Sequence, residues 1–215
     1  MKYYIIYYKT LLKYYLYLLY FIYLNHTNYK LSFNNTIDIG KRYLRIHEPM
    51  IFGLVTAGRL HKKVNQKYGN NLPYYAHLLM VYFVARDYIY LLKPKYRSYA
   101  ILACFAHDLI EDARLTYNDI VKIFGIEVAE VVYCLTNEKG KTRKERANNM
   151  YYSGIKANYI AIFTKLCDRF ANIKFSYSTK STMFNKYKQE QYFFDKQLYI
   201  DNFSPMFRDI KNYLK

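Results

Sequence analysis

The chain has 215 residues, room for one domain with a full core and little besides, and a 53% hydrophobic composition excludes a disordered polyelectrolyte. Three cysteines, Cys104, Cys134 and Cys167, form an odd set without metal spacing, which excludes a disulfide framework and a thiolate zinc site. The 33 Lys and Arg against 16 Asp and Glu leave a formal charge of +17, suited to an anionic partner such as nucleic acid, a nucleotide or a membrane surface. A plainer source competes, because 29 tyrosines beside abundant Lys, Ile and Asn are what an AT-rich coding sequence yields. Coding bias accounts for most of the surplus, and no specific nucleic-acid partner is expected.

Residues 1–47 read as a Tyr-rich extension distinct from a domain spanning 48–215. The stretch "YYLYLLYFIYL" (14–24) follows Lys2, Lys9 and Lys13 but is short of the roughly 20 apolar residues a membrane span needs. The charge order is that of a signal peptide, yet "NHTNYK" follows instead of a small-residue cleavage site. A nonessential extension ranks first, an amphipathic surface helix through residues 3–24 second, and a membrane anchor last.

From residue 48 onward the periodicity predicts helices throughout, with no strand alternation and no Gly-rich phosphate loop. The first covers 49–68 and is broken by "GNNLP"; the second covers 74–92 and stops before Pro94. The third runs from about Arg97 into "FAHDLIED" (105–112). Thr116 opens a short helix with Asp119 as capping-box partner, and Gly125 ends it. Helices follow at 126–135, near 143–152, at 158–175, around 183–199 and at 204–214, with a polar, glycine-containing turn in 136–149. The fold class expected is all-α.

Buried-looking charge is the anomaly. His107 and Asp108 end the apolar run "YAILACFA" (99–106), with Glu111 and Asp112 just after. His77 opens another apolar run, and Asp168 lies inside a third, sharing a helix face with Lys165 and Asn172. Burying such groups costs several kcal/mol each unless they are paired. Two imidazoles and two carboxylates from three helices suit an N/O site for a divalent metal such as Mn²⁺, Fe²⁺ or Zn²⁺. Taken singly, each has a plainer reading: a hydrogen-bonded core histidine for His77, a salt bridge to Lys165 or an arginine for Asp168. Glu111 and Asp112 could pair with Arg114, although acids at a helix C-terminus oppose its dipole. His61 reads as a packing residue or one that supports a ligand. The three buried thiols suit a reducing compartment, the cytoplasm.

The order His77, "AHD" (106–108) and "KLCDR" (165–169) resembles the HD-domain metal-dependent phosphohydrolases. More specifically, "PYYAH" (73–77), "AHDLIED" (106–112), "LTYNDIVKIFGIEVAEVV" (115–132), "LTNEKG" (135–140) and "KLCDRFANI" (165–173) are similar to the guanosine tetraphosphate hydrolase domain of the stringent-response synthetase/hydrolases. The matched stretch runs from about 55 to 175.

The resemblance implies a helical HD bundle in which His77, His107, Asp108 and Asp168 hold a metal, usually manganese. It implies that Glu111 and Asp112 activate and orient the attacking water. It puts Asn172 and Lys67 on the substrate, with Lys141, Arg143, Lys144 and Arg146 as candidates for outer phosphates; a solvated helix face is the alternative for that basic run. Where the family commonly has an arginine that stacks on guanine, this chain has Gln66, so base selection is open. The implied activity is removal of the 3′-pyrophosphate of guanosine tetraphosphate by a stand-alone hydrolase. The alternatives are a phosphatase of another nucleotide (NADPH or a deoxynucleotide) and a noncatalytic basic protein that binds nucleic acid or membrane.

Overall fold

The structure is a computed structural model, and it describes residues 49–69, 71–137 and 140–215. The Tyr-rich extension therefore lies outside the described residues, as do Glu138, Lys139 and the side chains of Arg143 and Lys144.

The described chain is all-α save for one hairpin. Helix α1 (Pro49–Lys63) leads through strands β1 (Lys67–Tyr68) and β2 (Leu72–Pro73) to α2 (Tyr75–Tyr88). The antiparallel pair, with Lys67 opposite Pro73, was absent from the sequence reading. Two-residue strands are too short to alternate, and the turn depends on positive φ at Gly69 (51°) and Asn71 (64°). A Cβ on Gly69 would sit 2.7 Å from the Phe175 ring, so glycine also lets the hairpin settle over the helix that carries Phe175. The second predicted helix ends at Tyr88, continuing as one 3₁₀ turn, Ile89–Leu91.

Helix α3 (Pro94–Ala106) starts at its proline, earlier than predicted, because Pro at the first position needs no amide partner. It does not carry through the acidic doublets. The helix breaks at His107–Asp108, Asp108 taking φ −101° and ψ 3°, and a single turn, α4 (Leu109–Asp112), holds Glu111 and Asp112. The acids thus occupy a turn of their own rather than the end of the long helix.

Helix α5 (Tyr117–Phe124) has the predicted capping box: Thr116 Oγ1 accepts from the Asp119 amide at 3.2 Å and Asp119 Oδ2 from the Thr116 amide at 2.9 Å. Gly125, at φ 93°, closes it before α6 (Ile126–Leu135). The helix expected at 143–152 is two, α7 (Arg143–Arg146) and α8 (Asn149–Lys156), because Asn148 caps a new start by accepting from the Tyr151 amide at 3.0 Å. Asn158 caps α9 (Tyr159–Ser178) in the same way, and α10 (Met183–Leu198) and α11 (Ser204–Tyr213) complete the order.

Helix α9 is the central rod, packed against α2, α3, α6, α8, α10 and α11, while α1 lies across α2 and α3. Gly53 permits that crossing, since a Cβ there would meet the Phe105 ring at 2.5 Å. Phe105, Phe163, Leu78, Leu166 and Ile173 fill the centre. Arg169, buried on α9, donates to Gln191 Oε1 (2.9 Å) and the Tyr187 carbonyl (3.1 Å) and lies 4.2 Å above the Phe194 ring. It pins α10 behind Asp168, so the helix carrying that acid cannot shift without breaking a buried polar network. No helix among the described residues is long and apolar enough to cross a membrane.

Candidate metal centre

Three helices deliver the anomalous residues to one point. His77 comes from the first turn of α2, His107 and Asp108 from the break after α3, and Asp168 from the middle of α9. His77 Nε2 lies 3.2 Å from His107 Nε2, 3.3 Å from Asp168 Oδ1 and 3.7 Å from Asp108 Oδ2. His107 Nε2 lies 2.9 Å from Asp108 Oδ2 and 3.7 Å from Asp168 Oδ1. Bonds of about 2.1 Å to one ion put neighbouring donors roughly 3 Å apart, so the spacings of His77, His107 and Asp168 fit a shared divalent cation, with Asp108 Oδ2 against the two imidazoles. His107 Nδ1 donates to the Cys104 carbonyl at 2.9 Å, which leaves Nε2 as the donor atom facing the cluster. The α3 break makes this possible by turning His107 inward while its own ring reaches back to the helix end.

The charges explain why the acids tolerate burial. Burial pushes Asp168 upward, but Lys165 and the two imidazoles outweigh it and hold the carboxyl well below its usual range. Asp108 is likewise held low against burial, chiefly by His107. In turn burial would lower His107, yet Asp108 and Asp168 raise it well above an ordinary imidazole. Lys165 Nζ sits 3.3 Å from Asp168 Oδ2 and 5.6 Å over the Tyr151 ring. The salt bridge to Lys165 engages Oδ2 of Asp168, while Oδ1 faces the two imidazoles.

Beside the cluster, Asp112 Oδ2 accepts from Gln66 Nε2 at 3.0 Å. Glu111 accepts from the Asn137 amide nitrogen and from Asn137 Nδ2, the latter at 2.9 Å. Burial raises both carboxyls, with Asp108 adding to the rise. Amides of Gln66 and Asn137, with the Tyr74 hydroxyl beside Asp112, are their partners among the described residues, not Arg114. Asn172 spends its amide on protein atoms: Nδ2 donates to the Asp168 carboxylate and Oδ1 accepts from Tyr68 at 2.7 Å. Lys67 is exposed on β1, and Arg146 is exposed on α7.

Two tyrosines were missed by the sequence reading. Tyr74 donates to Asp108 Oδ2, and burial with Asp108 beside it keeps the phenol protonated. Tyr68 stacks on His77 at 4.6 Å and 20°. Tyr74 stands three residues before His77, one helical turn, and that spacing was the signal available. Tyr68 reaches the site only through the hairpin.

His61 is fully buried and stacks on Tyr74 at 4.0 Å, and neither ring nitrogen has a hydrogen-bond partner among the described residues. Burial, only partly opposed by Asp108, pushes its pKa down to about 4. A depressed imidazole contributes stability above pH 6.5 that is lost as pH falls through 4, roughly 3 kcal/mol over that window. His61→Leu is expected to remove this part of the acid sensitivity. Urea unfolding of both proteins at pH 7 and pH 4.5 checks it, and equal losses in the two would return His61 to an ordinary core role.

No protein-family model matches the chain. Over 102 residues it is 26% identical to the guanosine-3′,5′-bis(diphosphate) 3′-pyrophosphohydrolase MESH1 of Drosophila melanogaster, covering 47% of this chain and 57% of that protein. Over 74 residues it is 28% identical to the Danio rerio protein of the same name, covering 34% and 41%. The chain thus spans about half the length of these curated relatives. A solved structure, described as a metazoan ortholog of SpoT that hydrolyses ppGpp and plays a role in starvation responses, superposes with a TM-score of 0.55 at 21% identity. That superposition covers 77% of this chain and 91% of the other. With the metal-fitting cluster at the meeting point of three helices, these likenesses give the chain the all-α fold of that solved ppGpp hydrolase and a partial resemblance in sequence to the MESH1 proteins.

Proposed function

We propose that the chain is a metal-dependent phosphohydrolase that removes the 3′-pyrophosphate of guanosine tetraphosphate. The observation that carries this reading is the convergence of His77, His107 and Asp168 on one point, with Asp108 against the imidazoles and the acid pair of α4 beside it. The two named relatives and the solved neighbour, each described as acting on this nucleotide, support the substrate.

The four residues would hold one divalent ion; their nitrogen and oxygen donors suit Mn²⁺, Fe²⁺ or Zn²⁺, and the resemblance to the ppGpp hydrolases favours Mn²⁺. Bound there, the ion supplies positive charge that acidifies water and offsets the anionic phosphoryl oxygens. The chain's own groups do the rest. Tyr74 steadies Asp108 and Asn172 steadies Asp168, so the ligand oxygens keep their direction when substrate arrives. Glu111 and Asp112, their carboxyls raised above the usual carboxylate range by burial, orient the attacking water and take its proton. Lys67, Lys144 and Arg146 bind the outer phosphates, and Asn172 borders the substrate. Gln66, which gives its amide to Asp112, offers no cation to the base, so guanine selection through a stacked arginine is absent. Three free cysteines, two of them buried, are consistent with a cytoplasmic setting.

The test is a turnover panel with purified protein: guanosine and adenosine tetraphosphates, NADPH and a deoxynucleoside triphosphate, each with and without Mn²⁺. Pyrophosphate release from guanosine tetraphosphate, stopped by chelator and restored by Mn²⁺, is expected. Turnover confined to NADPH or the deoxynucleotide would move the substrate and leave the chemistry; no turnover at all, with Mn²⁺ bound, would favour a binding role.

A further inference from the structure

The acids Glu111 and Asp112 belong to α4, a single helical turn. One turn is too short to hold its own side chains rigid, because isolated helices need three or four turns to persist. What holds them comes from elsewhere. Helix α4 lies between α1 and α6, and each neighbour sends amide donors to one acid. From the α1 side, Gln66 Nε2 donates to Asp112 Oδ2 at 3.0 Å, and the Gln66 backbone is itself tied to the His61 carbonyl at 3.0 Å. From the α6 side, Asn137 donates through both its backbone nitrogen and its side chain to the two oxygens of Glu111. Asn137 follows Thr136, whose hydroxyl caps the Val132 carbonyl at 3.0 Å, so this donor rests on a closed helix end.

We infer that Gln66 and Asn137 are positioning residues that aim the acid pair from opposite sides, each carboxylate held by neutral donors of one residue. The inference rests on the proposed phosphohydrolase reading of the same site. A neutral donor fixes a carboxylate's direction without adding a charge to a cluster that must take up a cation. An arginine at 66 would add one. The departure at Gln66 is thereby accounted for by its contact with Asp112 rather than by contact with a base.

The experiment uses the full chain. Gln66→Leu and Asn137→Ala remove the side-chain donors, the Asn137 backbone amide remaining on Glu111, while the isosteric Gln66→Glu and Asn137→Asp replace donor by acceptor. Each is expected to lower kcat about tenfold or more, with KM within about threefold, as misaimed groups rather than lost binding. Mn²⁺ affinity and melting temperature should stay near wild type. In the Glu111→Gln background Asn137→Ala should cost nothing further, and in the Asp112→Asn background neither should Gln66→Leu, since paired residues are non-additive. Full additivity, or kcat within twofold of wild type, would overturn the inference. A second readout needs no turnover: the side-chain amide NMR signals of Gln66 and Asn137, assigned by their loss in the single variants, should move on Asp112→Asn and Glu111→Gln respectively. If wild type turns over no nucleotide, the proposed function falls and these signals alone decide. Unmoved signals then overturn the inference; moved signals sustain it.

Discussion

Asp168→Asn is expected to weaken Mn²⁺ binding by more than about 100-fold and to abolish turnover, the largest effect of any single change in the chain. The substitution keeps the shape of the side chain and removes its charge. Asp168 Oδ1 lies 3.3 Å from His77 Nε2 and 3.7 Å from His107 Nε2, so it faces the cation position directly. Its other oxygen neutralises Lys165 at 3.3 Å. With asparagine in place, the ammonium is left facing the ion without a counter-charge, and repulsion adds to the lost ligand. The expected residue of binding should also depend on pH in wild type. His107, raised well above the ordinary imidazole value by Asp108 and Asp168 despite burial, must lose its proton before Nε2 can bind metal. Affinity should therefore rise with pH across that raised range. Calorimetry with Mn²⁺ at several pH values measures both effects. Unchanged affinity in Asp168→Asn would remove the residue from the ligand set.

The four candidate ligands were legible in the sequence because each broke a local rule. An imidazole or carboxylate inside an apolar run conflicts with burial unless a partner exists, and His77, His107–Asp108 and Asp168 conflict in the same way. Helical period placed Lys165 on the Asp168 face, where the ammonium is found. The capping box at Thr116 and the stop at Gly125 were equally local and came out as read. What the sequence hid was of longer range. The break at His107–Asp108 has no glycine or proline to mark it; tertiary packing overrides propensity there and turns both side chains inward. Tyr68 reaches His77, Gln66 reaches Asp112 and Asn137 reaches Glu111 across separations that no periodicity encodes. The hairpin that carries Tyr68 depends on two positive-φ residues in a stretch that reads only as a helix breaker.

Glu111→Gln and Asp112→Asn are expected to lower kcat by about 10²-fold or more while Mn²⁺ remains bound, separating the chemistry from the metal. The reason lies in where α4 sits. Its two acids stand beside the cluster and take their amide donors from Gln66 and Asn137, not from the imidazoles, so removing their charge leaves the four candidate ligands in place. Both carboxyls are raised by burial and by the nearby Asp108. A base with a raised pKa is protonated, and inactive, over a wider acidic range. The acidic limb of kcat/KM should accordingly lie above the ordinary carboxylate value, with activity falling as pH drops through it. Whichever substitution removes the group that accepts the water's proton should erase that limb as well as lower the plateau; the other should lower the plateau and leave the limb in place. The two profiles therefore assign base and orienting group between neighbours that no static distance separates. Near-wild-type turnover in both variants would mean that the acids serve only to cap their neighbours' amides, and that proton transfer runs through another group of the cluster.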